Sequence, residues 1–255
     1  MSESVLGIDI GGTGIKGAVV DLNTGKFLTK KVKYKTPDVS SPAAVLEIMK
    51  QLITDFSWEN KPIGVGFPAI IKNGIAMSAA NVDKSWKGFD IQAYFSKELE
   101  VLVTVVNDAD AAGMAEFKFG SANNMPGTVM LLTLGTGIGS ALFVDGHLVP
   151  NVEMGHLKWK RSIAEDYASN RARKRDKLDW PKFGARLNEI LHHISFLMSP
   201  DLIIIGGGIS KSFEFYKPYI DIEGTIVPAS LQNEAGIIGA AIYSSFDKSL
   251  IRKSL

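Results

Sequence analysis

The chain of 255 residues contains no cysteine. That excludes disulfides, thiolate zinc sites, iron–sulfur clusters and a cysteine nucleophile. Histidine is scarce, with four copies, too scattered to form an obvious metal cage. Net charge is nearly absent: 28 Lys and Arg stand against 27 Asp and Glu, a formal +1. No global field therefore draws the protein to nucleic acid or to a membrane, and neither is expected as a partner. Any polyanion would need a local basic patch. No apolar run is long enough to span a bilayer, and no basic-then-apolar leader opens the chain, so the expected location is cytoplasmic. The rest is ordinary for a globular protein, 45% hydrophobic and 22% charged. The length suits one large domain or two small ones.

What is present is organised around residues 6–21. Two apolar arms flank the turn Gly11-Gly12-Thr13-Gly14, with Asp9 and Lys16 at its mouth. Alternating arms around a glycine turn predict a hairpin. Its backbone N–H groups and threonine hydroxyl suit a phosphate. The pattern recurs: a strand over 127–134 opens into Gly135-Thr136-Gly137-Ile138-Gly139, and a second arm follows. Two copies predict a duplicated architecture with two phosphate-facing turns.

Between and after these hairpins the order is strand and helix. A third strand is predicted over 27–35, with Lys31, Lys33 and Lys35 alternating on one solvated face. Ser41-Pro42 starts a helix. The strand ending in Gly66-Phe67-Pro68 has small residues that permit close approach of a ligand. The polar loop 78–88 carries Asn81 and Trp86. It suits a sugar, or is a surface loop around a packed tryptophan. The strand over 101–106 runs into Asn107-Asp108-Ala109-Asp110, where one polar residue caps the next helix and the others exceed what a cap needs. Glu153 and His156, three apart, can converge on one ligand or serve structure. A helix is predicted over 162–173, where Glu165 would complement the helix dipole. Arg171, Arg173, Lys174 and Arg175 form the densest positive charge in the chain. They either complement a helix C-terminus or attract a polyphosphate-like anion. Gly206-Gly207-Gly208 follows a buried strand and lets a phosphate lie against the backbone.

Five separated motifs resemble those of one family. Asp9-Ile10-Gly11-Gly12-Thr13 resembles the first phosphate motif of the actin-like sugar kinases. Asn107-Asp108-Ala109-Asp110 resembles the catalytic-aspartate motif of their ROK branch (repressor, open reading frame, kinase). Leu134-Gly135-Thr136-Gly137 resembles its second phosphate motif, Glu153-Met154-Gly155-His156 its sugar motif, and Gly206-Gly207-Gly208-Ile209-Ser210 its nucleotide loop. Most ROK kinases continue with a zinc-binding cysteine cluster, which is missing here, so no structural zinc is expected. That departure, with Glu165-Asp166-Tyr167 and Asn81-Val82-Asp83-Lys84-Ser85-Trp86, resembles the polyphosphate glucokinase branch.

The resemblance implies an α/β, actin-like ATPase (RNase H-like) fold with two domains around a central cleft. The small N-terminal domain would comprise 1–106 plus 236–255, and the larger C-terminal domain 107–235. It implies phosphoryl transfer from inorganic polyphosphate, ATP or both to the 6-hydroxyl of glucose, with mannose as a further acceptor. Asp108 would be the general base. Gly66, Phe67, Pro68, Asn81, Asn107, Glu153, His156 and Glu165 would hold the sugar. Gly11, Gly12, Thr13, Gly14, Lys16, Gly135, Thr136 and Gly137 would cradle the donor phosphates, and Gly207 and Gly208 the nucleotide. Asp9 would hold Mg²⁺ through water, and a homodimer is the expected assembly. The alternatives are a strictly ATP-dependent glucokinase and, in a different class, a sugar-responsive regulator without catalysis.

Overall fold

The computed structural model describes residues 3–79 and 82–245. Asn81 lies outside the described residues. Two compact units emerge, one up to Ala112 and again from Gly236, the other from Gly113 to Ala235. The expected boundaries at 106/107 and 235/236 differ from this at the first crossing, which falls inside a helix.

In the first unit, β1 (Ser4–Ile10) and β2 (Ile15–Asp21) form the opening hairpin, with Ile10 opposite Ile15. The short strand β3 (Val32–Tyr34) pairs beside β2. The strand predicted over 27–35 is therefore shorter; Phe27 makes only an isolated bridge to Val20. Helix α1 (Pro42–Phe56) starts with proline in its first turn and the Ser41 hydroxyl accepting the Ala44 N–H at 3.4 Å. It leads to β4 (Ile63–Phe67), the small hairpin β5 (Ile71–Lys72) and β6 (Ile75–Ala76), α2 (Ile91–Leu99) and β7 (Val103–Asn107). The main sheet runs β3-β2-β1-β4-β7. Leu6, Ile8 and Ile10 alternate onto one face of β1 and join Met49 and Leu52 of α1 in the core.

Helix α3 (Asp108–Phe119) carries the chain across the division. The second unit then repeats the pattern. Strands β8 (Thr128–Leu134) and β9 (Ile138–Val144) form a hairpin, and β10 (His147–Val149) pairs beside β9. A short β11 (Lys158–Trp159) and β12 (Ser162–Ile163) precede α4 (Ala164–Ala168) and α5 (Asn170–Arg175). One helix was predicted over 162–173. Two form instead, because Ser169 takes an extended backbone (φ −73°, ψ 164°) and its hydroxyl caps the second by accepting the Ala172 N–H at 3.1 Å. The long α6 (Trp180–Met198) packs Phe183, Leu187, Ile190, Leu191 and Ile194 into the second core. Strand β13 (Leu202–Gly206), the short α7 (Phe213–Tyr216) and β14 (Thr225–Pro228) follow. This sheet runs β10-β9-β8-β13-β14. Both sheets thus place a hairpin, a third antiparallel strand and two parallel strands in the same order.

Helix α8 (Ala235–Ser245) closes the first unit. It lies so close to the sheet that a Cβ at Gly7 or Gly64 would overlap the backbone carbonyls of Ile237 and Ala240. No described helix is long and apolar enough to cross a membrane.

Candidate active site

The opening hairpin turns tightly, with the Gly11 N–H donating to the Gly14 carbonyl at 3.1 Å. Thr13 sits exposed at its tip beside Gly12. The Thr36 hydroxyl donates to the Gly11 carbonyl, tying the turn to the segment after β3. Asp9 and Lys16 are cross-strand partners, and their charged groups meet at 2.9 Å. Asp9 also faces the start of α8: a Cβ at Gly236 would stand 3.0 Å from its carboxyl carbon. A helix N-terminus favours a carboxylate there.

Asp108 opens α3 beside the end of β4. A Cβ at Gly66 would lie in ordinary contact, 3.9 Å from the Asp108 Cα. One Asp108 oxygen accepts the Ala109 N–H at 2.8 Å. Asn107 is the buried cap. Its Oδ1 accepts the N–H groups of Ala109 and Asp110 at 2.9 and 3.0 Å, and its Nδ2 donates to the Ala69 carbonyl at 3.0 Å. Ala69 in turn donates to the Phe67 carbonyl at 2.8 Å. One Asn107 side chain therefore shapes both the helix start and the Gly66-Phe67-Pro68 turn. The Phe67 ring is fully buried, which leaves the backbone of that turn as the part a ligand can meet.

Trp86 resolves as a core residue. It is fully buried, donates its indole N–H to the Ser40 carbonyl at 2.6 Å and packs 4.7 Å from the Phe67 ring. It supports the loop from inside and presents no face to a sugar.

In the second unit the Gly135 N–H donates to the Gly137 carbonyl at 3.0 Å, and Thr136 is exposed at the tip. The Glu165 carboxylate lies against this turn, accepting the Ile138 N–H at 3.2 Å. A Cβ at Gly137 would collide with that carboxylate. Ser140 was missed in the sequence. Its hydroxyl donates to the Val152 carbonyl and accepts the Met154 N–H at 2.9 Å. It thereby pins the segment carrying Glu153 and His156 to β9. Gly155 is pressed so close to the Ile138 carbonyl that a side chain would overlap it. The His156 Nδ1 lies 3.4 Å from a Glu153 oxygen. Burial pushes the Glu153 carboxyl above its ordinary range; His156 opposes this and Glu165 adds to it. Glu153, His156 and Glu165 thus form one electrostatic group.

Gly135 and Thr136 also line a cavity of about 560 Å³ with Asn170, Arg171, Lys174 and Arg175. The Arg171 guanidinium stands 3.8 Å from both Glu165 and Asp166. Arg175 is committed to Asp176 at 2.7 Å and to the Asp166 carbonyl at 2.8 Å. Arg173 departs from the expected basic track. It stacks over Trp180 at 4.2 Å and donates to Asn170 and the Leu178 carbonyl. Helical spacing sends it to the other side of α5 from Arg171 and Lys174. Gly207, at φ 79°, rests against the Leu134 carbonyl, while Gly208 has open space around its Cα. The Ser210 hydroxyl donates to the Gly207 carbonyl at 2.8 Å. The glycine loop is therefore held beside the end of β8, where the Gly135-Thr136-Gly137 turn begins.

A family model described as the ROK family matches residues 5–175. The chain belongs to the ROK family. Among ROK relatives, a polyphosphate glucokinase of Mycobacterium tuberculosis (strain CDC 1551 / Oshkosh) is 43% identical over 242 residues, covering 94% of this chain and 91% of that protein. The crystal structure of an inorganic polyphosphate/ATP-glucomannokinase from Arthrobacter sp. strain KM superposes with a TM-score of 0.90 at 48% identity, covering 95% of this chain and 98% of that one. A ROK family glucokinase from Streptomyces griseus, in complex with glucose and AMPPNP, shares the fold at a TM-score of 0.81 and 21% identity, over 95% and 99% of the two chains. The actin-like fold of the ROK kinases is thus the fold of this chain.

Proposed function

We propose that this ROK protein is a kinase that moves a phosphoryl group from inorganic polyphosphate or ATP to the 6-hydroxyl of glucose, with mannose as a second acceptor and a homodimer as its assembly. The observation that carries this is the cavity joining the Gly135-Thr136 turn to Arg171 and Lys174. Backbone N–H groups, a hydroxyl, a guanidinium and an ammonium offer the donors a chain of phosphates needs. The names of two relatives, 43% and 48% identical, give the acceptor class.

In this reading Glu153, His156 and Glu165 accept and donate hydrogen bonds to sugar hydroxyls, and Asn107 and Asn81 add amides. Asp108 orients the 6-hydroxyl and takes its proton as the new P–O bond forms. An ordinary aspartate is too weak a base to hold an alkoxide, so proton transfer accompanies bond formation. Thr13 and Thr136, each with the N–H groups of its own turn, offer donors to phosphate oxygens. Lys16 offsets their charge.

The residues present fit Mg²⁺. Asp9 offers a hard carboxylate oxygen beside the first turn, and no three metal-ligating side chains converge among the described residues. Asp9 would hold the ion through water, and Mg²⁺ there would supply charge neutralisation to the donor phosphates.

The test is Asp108→Asn. The variant is expected to fold and to bind glucose by calorimetry, while kcat falls about 10²–10⁴-fold, roughly 3–5 kcal/mol of barrier. A kcat near that of the parent protein would reject the assignment.

A further inference from the structure

The strand β3 was expected to show solvent a row of lysines. Lys33 does something more specific. It stands directly opposite Lys16 on β2, and Lys16 stands directly opposite Asp9 on β1. Cross-strand partners share a face of the sheet. One face beside the first phosphate turn therefore carries a row of one carboxylate and two ammonium groups. Asp9 neutralises Lys16 at 2.9 Å, and Lys33 forms no ion pair with any described residue. Like charges placed directly opposite destabilise a sheet. The arrangement therefore has an unbalanced positive charge at a place where stability alone argues against it.

The path of the Lys33 side chain points the same way. It arches over the glycine turn: a Cβ added to Gly14 would strike the Lys33 Cε and come within 3.4 Å of its Nζ. Glycine at that position leaves the space that the lysine stem occupies. The neighbouring Lys35 turns away to Asp38 at 2.7 Å, and Lys31 lies beyond the end of β3.

We infer that Lys33 is a further donor-binding residue, an ammonium that clamps an oxyanion of the phosphate chain over the Gly11-Gly12-Thr13-Gly14 turn together with Lys16. The inference rests on the kinase reading for its function, and on charge and geometry alone for its anion. The bound anion supplies the missing negative charge of the row and relieves the repulsion between the two lysines.

The experiment uses inorganic tripolyphosphate as the probe. Its binding to the full chain is measured by calorimetry for the parent protein, for Lys33→Gln and for Lys31→Gln. Polyphosphate and glucose kinetics and the thermal midpoint are measured alongside. Lys33→Gln is expected to weaken tripolyphosphate about three- to tenfold, the effect of one exposed charge-assisted contact. The KM for polyphosphate should rise by a similar factor, with kcat and the KM for glucose unchanged. Its thermal midpoint should hold or rise, since a like-charge pair has gone. Lys31→Gln should bind as the parent does. Undiminished binding by Lys33→Gln, or an equal loss in Lys31→Gln, overturns the inference. If the parent binds tripolyphosphate through Lys33 but phosphorylates no sugar, the anion site stands and the kinase reading falls. If sugar is phosphorylated and Lys33→Gln changes nothing, the reverse holds.

Discussion

Glu153 shows how function and stability separate at a single residue. Burial, with Glu165 adding to it, holds its carboxyl above the ordinary glutamate range against the pull of His156. The unfolded chain therefore releases this proton at lower pH than the folded one. The contribution of Glu153 to stability is fully present below the unfolded value and is lost as pH rises towards the folded one. Glu153→Gln removes the penalty while keeping the shape. Its thermal midpoint at neutral pH should equal or exceed that of the parent, and its KM for glucose should rise about tenfold or more through loss of a charged acceptor. In the parent, glucose KM should climb on acidification at a higher pH than an unperturbed glutamate would give, and this dependence should vanish in the variant. A flat parent profile would separate Glu153 from the sugar. Other single residues reveal the limit of sequence. The tryptophan of the sugar-like loop and Arg173 of the basic run have the right chemistry for ligands. Trp86 is instead enclosed by Phe67, Phe89 and Phe95, and Arg173 lies on Trp180. The partners of Trp86 range from Phe89, three residues on, to the Ser40 carbonyl 46 residues back, and nothing in the loop's own pattern singles them out.

Among the elements, hairpins and long helices were legible and their braces were not. Period-2 alternation around a glycine turn marks β1–β2 and β8–β9, and 3.6-residue spacing marks α6 through its full length. The break between α4 and α5 escaped because Ser169 reads as one more helical position until its hydroxyl is seen to cap the next turn. Glu116, mid-way along α3, escaped for a similar reason. It is 1% exposed, and its two oxygens accept the N–H groups of Ser121, Ser230 and Leu231 and the Ser230 hydroxyl. A helical glutamate in sequence resembles a surface residue. Here it joins the end of α3 to a loop more than a hundred positions later, within one unit. Glu116→Gln replaces an all-accepting group with one that also donates, facing four donors. It should lower unfolding free energy by about 2–4 kcal/mol in urea titration, with the m-value unchanged. A loss under 0.5 kcal/mol, the range of a surface change, would show that the loops hold without it.

For the whole molecule, the donor question turns on which cations the fold leaves available. Asp176 occupies Arg175 and Arg186, and these two guanidinium groups hold its carboxyl far below the usual range. Trp180 occupies Arg173. Arg171 and Lys174 line the cavity with Thr136, Arg171 standing 3.8 Å from Glu165 and Asp166, wider than the 2.7 Å pairing of Arg175 with Asp176. The double variant Arg171→Gln, Lys174→Gln should therefore raise the KM for polyphosphate about tenfold or more and that for ATP by less, because a nucleotide has contacts beyond its phosphates. Equal changes for both donors, measured with the same glucose concentration, would remove these cations from any polyphosphate-specific role.

The sequence by itself determined the duplication, the two glycine–threonine turns, the aspartate at the head of α3 and the exclusion of thiolate metal chemistry. Each is carried by residue type and short-range spacing, which the backbone obeys locally. The tertiary structure alone decided which members of a charged or aromatic run are taken up by packing and which line open space. Lys33 and Lys31 look alike in sequence, as do Arg171 and Arg173. They part company because strand register places one lysine opposite Lys16 and over Gly14, and because helical rotation turns one arginine towards Thr136 and its neighbour onto Trp180. Long-range packing sets those partners, and the hairpin that opens the chain gains its second lysine only once β3 lies beside it.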